Sequence, residues 1–224
     1  MAVAEKAALT GLQCSLDTLL AEVERLLIAE QQVTDYKQLD ESISPEPTTA
    51  CKRVVAFLTR MFEVAHGALD GLNRVGFMTQ LGFGLYNSLI QHWKRFTFDP
   101  RLRRALYHRS QIVEHACKRL WNVIETTKLA IFFMWKCCLS GGLRLKRDVL
   151  EYADCVRRFK IPTVDEKFSL LGTMVNVFIV APESLPTLVD GTLRDVRDEV
   201  LRLIELRDDY KKAKVGNIVN SMNG

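Results

Sequence analysis

The chain has 224 residues, 48% of them hydrophobic and 26% charged, with a formal net charge of +4. That is enough apolar material for one large domain or two small ones, and only 6 Pro and 12 Gly argue against a loop-rich β protein. The six cysteines, at 14, 51, 117, 137, 138 and 155, have no CxxC spacing and no regular framework, and read as reduced thiols.

In chain order, residues 3–32 are predicted as a first helix. Leu9, Leu12, Leu16, Leu19, Leu20, Val23, Leu26, Leu27 and Val33 recur at three- and four-residue intervals. Glu5 and Lys6 in an alanine-rich start are unlike a secretory signal. An apolar helix face with no preceding partner predicts that Met1 begins inside a larger helical protein. Residues 1–39 thus form the helix of a truncated helical repeat, and 40–49 (DESISPEPTT) a polar, proline-bearing linker. Residues 50–100 open a bundle. Its second helix, 50–70, carries Val54, Val55, Phe57, Leu58, Met61, Phe62, Val64, Ala65 and Leu69. Its third, 71–98, has Leu81, Leu85, Leu89 and Ile90 as core, with bends expected at Gly76 or at Gly82 and Gly84.

Residues 101–139 differ from everything around them. They hold eight Lys/Arg and two Glu, a net of +6, so the rest of the chain nets −2. Two of the three Trp, three of the six Cys and two of the four His also lie there. The longest apolar run, 129–135, is far short of the ~20 residues that span a bilayer.

The second half of the bundle, 140–214, opens at Ser140-Gly141-Gly142 with a helix. Leu143, Leu145, Val149, Leu150, Tyr152, Ala153, Val156 and Phe159 are assigned to its apolar face. Arg144, Lys146, Arg147, Asp148, Glu151, Asp154 and Arg157 are assigned to water. Thr163-Val164-Asp165-Glu166 has the letters of a capping box and predicts a buried helix over 163–181, rich in apolar residues from Phe168 to Val180. Pro182 suits the first turn of another short helix. A last helix is predicted over 192–214, and 215–224 as a polar tail. Periodicity near 3.6 in every segment outside linker and tail makes the fold class all-α.

Candidate chemistry is sparse. His66 and His92 have no partners at a catalytic spacing. His108, His115 and Cys117 share a neighbourhood but lack a fourth zinc ligand. Gly82-Phe83-Gly84 and Gly141-Gly142 lack the spacing and preceding strand of a phosphate loop. The residues thus point to a helical binding or scaffolding module. The alternative is a helical nucleic-acid- or metal-binding module using the basic, His/Cys-containing 101–139.

Three strings carry a family resemblance: SGGLRLKRD from Ser140, the VDEKF–LLG run from Val164 to Gly172, and NVFIVAPESL from Asn176. They resemble the C-terminal region of the exocyst subunit family Sec-ten (exocyst complex component five), its plant branch above all. ACKRVVAFLTR, ALDGLN and HWKRFTFDP upstream resemble it too. The resemblance implies a rod of stacked antiparallel helical bundles, without enzymatic activity or cofactor, that tethers secretory vesicles to the plasma membrane before fusion. It implies other exocyst subunits as partners, vesicle and plasma membrane only indirectly, no nucleic acid and no small-molecule substrate. The expected location is cytoplasmic and peripheral at the plasma membrane. In the family the string like HWKRFTFDP runs directly into the one like SGGLRLKRD, so 101–139 is expected to be an in-frame insertion without family counterpart. Arg144, Arg147 and Arg157 are the candidate partner-binding residues.

Overall fold

The structure, a computed structural model, describes residues 2–37, 46–98, 141–210 and 215–216. The insertion predicted at 101–139, most of the linker and most of the tail lie outside the described residues. The fold is all-α, as the periodicity predicts. Among the described residues, the single β-type pairing is one parallel bridge between Phe98 and Arg207. The chain forms two compact units, residues 1–32, 47–96 and 147–173 in the first, and 33–46, 97–146 and 174–224 in the second.

The first unit is a bundle of α1 (Ala2–Glu30), α2 (Thr49–Ala68), α3 (Gly71–Trp93), the part of α4 (Gly141–Arg157) from Arg147 onward, and α5 (Pro162–Met174) as far as Thr173. Its topology can be read from which residues meet. Thr48 meets Asp148, Thr59 meets Cys155 and Phe62 meets Phe159. Both numbers rise together, so α2 and α4 run in the same direction. Gly84 lies against Leu20 and Ser88 donates to Glu24; Gly82 lies against Val164 and Tyr86 meets Phe168. By the same reasoning α1, α3 and α5 share a direction. Only Leu69 and Asp70 separate α2 from α3. So short a link turns the chain back on itself and makes the two sets antiparallel.

Leu16, Val23 and Leu27 of α1, Val54 and Leu58 of α2, Leu81, Leu85 and Leu89 of α3, Val149 and Val156 of α4, and Val164 and Phe168 of α5 are all buried. Each such side chain contributes about 1.5–3 kcal/mol by leaving water. The stripe predicted along α1 is buried only in its middle, since Leu9 and Val33 stay exposed. Gly82 and Gly84 do not break α3. They let α5 and α1 come close, because a Cβ at either position would run into Val164 or Leu20.

The second unit holds the start of α4, then a 3-10 turn at Val175–Phe178, another at Pro182–Ser184, α6 (Leu185–Asp190), a third 3-10 turn at Arg194–Val196, and α7 (Arg197–Ile204). An aromatic cluster forms its centre. The Tyr36 and Phe98 rings lie 5.0 Å apart, and Phe98 and Phe178 lie 4.3 Å apart. The two glycines opening α4 have a physical reason here. A Cβ on Gly141 would strike the Tyr36 backbone carbonyl, and one on Gly142 the Phe178 carbonyl.

The Phe98 N–H donates to the Leu206 carbonyl (2.9 Å), and the Asp208 N–H to the Phe98 carbonyl (2.9 Å). Arg207, with a fully buried side chain, forms a two-toothed pair with Asp209 (2.8 Å each). It also donates to the carbonyls of Val177 and Val180. These bonds complete the turn that the 3-10 segment leaves open.

Several sequence-based expectations are corrected. The predicted capping box is not made. α5 begins at Pro162, and the Ile161 carbonyl accepts from Val164 and Asp165 N–H (3.1 Å each), leaving Thr163 and Glu166 exposed inside the first turn. Proline at the first helical position needs no N–H acceptor, so the helix starts there. The helix predicted over 163–181 ends at Met174 and tightens into the 3-10 turn, though Phe168, Leu171, Met174, Val175, Val177 and Phe178 are buried as expected. Among the described residues of the helix predicted over 192–214, α-helix is confined to α7, preceded by the 3-10 turn at Arg194–Val196, because Leu206, Arg207 and Asp208 are committed to the Phe98 bridge and the Arg207 contacts. α3 stops at Trp93, leaving Phe98 in the bridge. Thr48 and Thr49, placed in the linker, are the N-cap and first residue of α2.

Candidate partner-binding face

α4 carries all three arginines singled out by sequence. Leu145, Val149, Tyr152 and Val156, spaced four, three and four apart, are buried, which aims one side of the helix inward. Asp148 lies on that same side, three residues after Leu145 and four before Tyr152, and is fully buried. Its assignment to the water-facing side is thereby overturned. The Thr48 N–H and hydroxyl donate to its two carboxylate oxygens (2.8 and 2.9 Å). Thr48 in turn accepts from Cys51 N–H (3.2 Å) as N-cap of α2. The Cys51 thiol donates to the Asp148 backbone carbonyl (3.6 Å). Burial pushes the Cys51 thiol, the Tyr152 hydroxyl and the Cys155 thiol up from their ordinary values. This cluster is therefore built to hold α2 against α4, and its thiols are poor nucleophiles.

Arg147, Leu150, Asp154 and Arg157 form the opposite stripe of α4, at spacings of three, four and three, and all four are exposed. Leu150, assigned to the apolar face by its chemistry, sits here at 45% exposure. Arg147 pairs with Glu151 (2.8 Å) and Arg157 with Asp154 (2.6 Å), both short-range pairs in water. Arg144 differs. It belongs to the second unit, where its guanidinium pairs with Asp35 (3.3 Å) and donates to the Asp35 carbonyl (3.3 Å), while its Nε is buried without a partner. Lys146 likewise reaches Asn176 (2.6 Å).

The other sites weighed in the sequence are structural. His66, exposed, lies with its ring tilted against Phe62 (5.7 Å between centroids). His92 is buried against Phe96 (5.1 Å), and desolvation, aided by the Arg95 charge, holds it down to about 4. Cys14, Cys51 and Cys155 are free thiols. Among the described residues there is no group of three His, Cys, Asp or Glu placed to hold a metal, and no helix long and apolar enough to cross a membrane. The residues of the alternative module, His108, His115 and Cys117, lie outside the described residues.

The described residues thus form a helical bundle whose buried polar groups cap and pin its own helices, with an outer α4 face that alternates charges around one leucine. A family model described as exocyst complex component Sec10-like, alpha-helical bundle, matches residues 1–101 and 132–219. The chain is 45% identical over 224 residues to exocyst complex component 5 of Oryza sativa subsp. japonica, covering 99% of this chain and 23% of that protein. It is 43% identical over 221 residues to exocyst complex component SEC10a of Arabidopsis thaliana, covering 98% and 22%. With exocyst complex component 5 of Homo sapiens the identity is 26% over 209 residues, covering 92% and 24%. The chain belongs to the Sec10-like exocyst helical-bundle family. It spans about a quarter of the length of the curated relatives it matches.

Proposed function

We propose that this chain is a non-enzymatic scaffold segment of the exocyst, holding other exocyst subunits so that secretory vesicles are tethered at the plasma membrane before fusion. It acts in the cytoplasm, peripheral to the membrane, and touches vesicle and plasma membrane through the complex; it requires no cofactor, nucleic acid or small-molecule substrate. The observation that carries this reading is membership of the Sec10-like helical-bundle family, supported by a bundle whose buried polar residues serve its own helix ends. The candidate contact is the α4 stripe of Arg147, Leu150 and Arg157. Arg144 is tied to Asp35 and offers less of its charge to a partner.

Co-purification tests it. Arg147→Glu combined with Arg157→Glu is expected to lower retention of other exocyst subunits several-fold while the circular dichroism spectrum stays helical. Unchanged retention removes this stripe from the proposal. Loss of all retention with a melted spectrum would instead mark the pair as structural, in which case Leu150→Ser supplies the milder probe.

A further inference from the structure

We propose that a cleft between the end of α2, the start of α3 and the α4–α5 connection docks an acidic peptide segment carrying one bulky apolar residue. The cleft has a volume of about 510 Å³, within the range that buries a side chain with its flanking backbone. Its floor is apolar. Phe62 and Phe159 stack with centroids 5.6 Å apart and planes 13° from parallel, beside Met78 and Ile161. Val75 completes it at 47% exposure, with Leu72 one helical turn earlier still more exposed. Phe159, Met78 and Ile161 are themselves buried, so Phe62 and Val75 carry the apolar surface that the cleft opens to water, and an apolar side chain seated on them would shield it.

The rim has one sign of charge. Arg74, Arg158 and Lys160 line the cleft with His66, and no Asp or Glu is among the lining residues. None of the three cations has an ion-pair partner within 4 Å among the described residues, unlike Arg147 and Arg157 on the α4 stripe, each of which has one. Two rim cations also sit on a turn that is already formed. Arg158, Phe159 and Lys160 N–H groups bond to the carbonyls of Cys155, Val156 and Arg157 (3.3, 2.8 and 3.1 Å), and Lys160 closes the turn with a left-handed φ of 57°. The backbone under these two cations is thus already ordered, and the ordering entropy left to spend on a ligand is that of the side chains.

These features together select the occupant. A phosphate or inositol phosphate would satisfy the rim and leave an aromatic floor unfilled. An uncharged apolar segment would fill the floor and ignore the rim. Carboxylates flanking a Phe, Leu or Trp satisfy both, and exclusion of water by the anchor strengthens the charge pairs around it. The lining residues are not those of the α4 stripe, and occupancy of the cleft does not depend on the assembly proposed above.

The test screens the whole chain against a phage-displayed library of random short peptides, then measures enriched peptides by fluorescence anisotropy. Enriched sequences are expected to place Asp or Glu around a single Phe, Leu or Trp. Arg74→Glu combined with Arg158→Glu should weaken their binding about tenfold or more, and Val75→Gln, which puts a polar amide on the floor without changing the charge, should weaken it several-fold. Arg53→Glu with Arg60→Glu changes net charge equally on exposed positions of α2 outside the lining. It should alter binding by less than about twofold at physiological salt. Thermal melts followed by circular dichroism check that each variant is folded, and Arg158→Ser alone replaces any that is not. No enrichment of acidic sequences, or equal weakening by the α2 control, overturns the proposal. So does binding unmoved by Val75→Gln. Inositol hexakisphosphate and vesicles containing phosphatidylinositol bisphosphate form the last arm. Binding of these, lost with the rim variants while acidic peptides fail, makes the cleft a phosphate site and overturns the peptide reading.

Discussion

Asp148 illustrates how much one residue's setting decides. Both of its oxygens accept hydrogen bonds from Thr48, which itself caps α2, so removing the carboxylate leaves two buried donors of Thr48 unpaired. Asp148→Ala is expected to cost about 2–4 kcal/mol, the sum of lost charge-assisted bonds and a weakened cap. Thr163→Ala is expected to change stability by less than about 0.5 kcal/mol, because Thr163 is exposed and the Ile161 carbonyl starts α5. Urea unfolding of both variants checks the contrast, and equal midpoints would refute it. His92 makes a pH prediction. It faces Phe96 and the Arg95 charge, and stays neutral when folded down to about 4. The unfolded chain takes up that proton near 6.5, so between those values the unfolded state binds more protons and stability falls as pH falls. About 1–2 kcal/mol should be lost by pH 5 relative to pH 7, a slope that His92→Phe flattens.

Elements are set by their close approaches. The α4 start can lie on the backbones of Tyr36 and Phe178 only because residues 141 and 142 are glycines. Gly142→Ala is expected to cost about 1–3 kcal/mol by overpacking, since its Cβ would meet a backbone carbonyl that cannot rotate away. Gly172→Ala, whose Cβ would meet only Val149 at an ordinary 4.0 Å, should be near neutral. Phe178→Ala removes a fully buried ring from the aromatic centre of the second unit and should cost about 3–5 kcal/mol. Denaturant midpoints of the three variants order these effects. Helix lengths follow the same logic, since α7 ends where Arg207 turns inward to the Val177 and Val180 carbonyls.

At the scale of the molecule, two compact units share α4, its first six residues in one and the remainder in the other. Residues 101–139 are proposed to be an in-frame insertion that the fold does not need. The reading rests on their foreign composition and on the joining of family-like strings at either side, and the family model's match is interrupted over 102–131. An inserted segment adds closure entropy only slowly with length, so the flanking fold keeps its core. Deleting 101–139 is expected to leave helicity per residue similar and to improve solubility and retention of exocyst subunits. Circular dichroism and co-purification measure both, and a deletion that no longer folds would make the segment integral.

Helical periodicity by itself determined the all-α class, the approximate places of the first three helices, and the short helix after Pro182. These follow from local spacing and from proline's missing donor, which need no distant partner. Long family-like strings determined the kinship. What distant contacts decide was not legible. Asp148 was sorted to water by its charge although its angular position beside Leu145 and Tyr152 already placed it inward, and Leu150 was sorted inward by its apolarity. Arg144, Arg147 and Arg157 looked alike in sequence, yet Asp35, which binds the first, comes from a segment far back in the chain. The cleft beside Phe62 and Phe159 exists only because α2 and α4 run in the same direction, with their last turns side by side. That parallel packing brings residues nearly a hundred positions apart into contact, which no local spacing records.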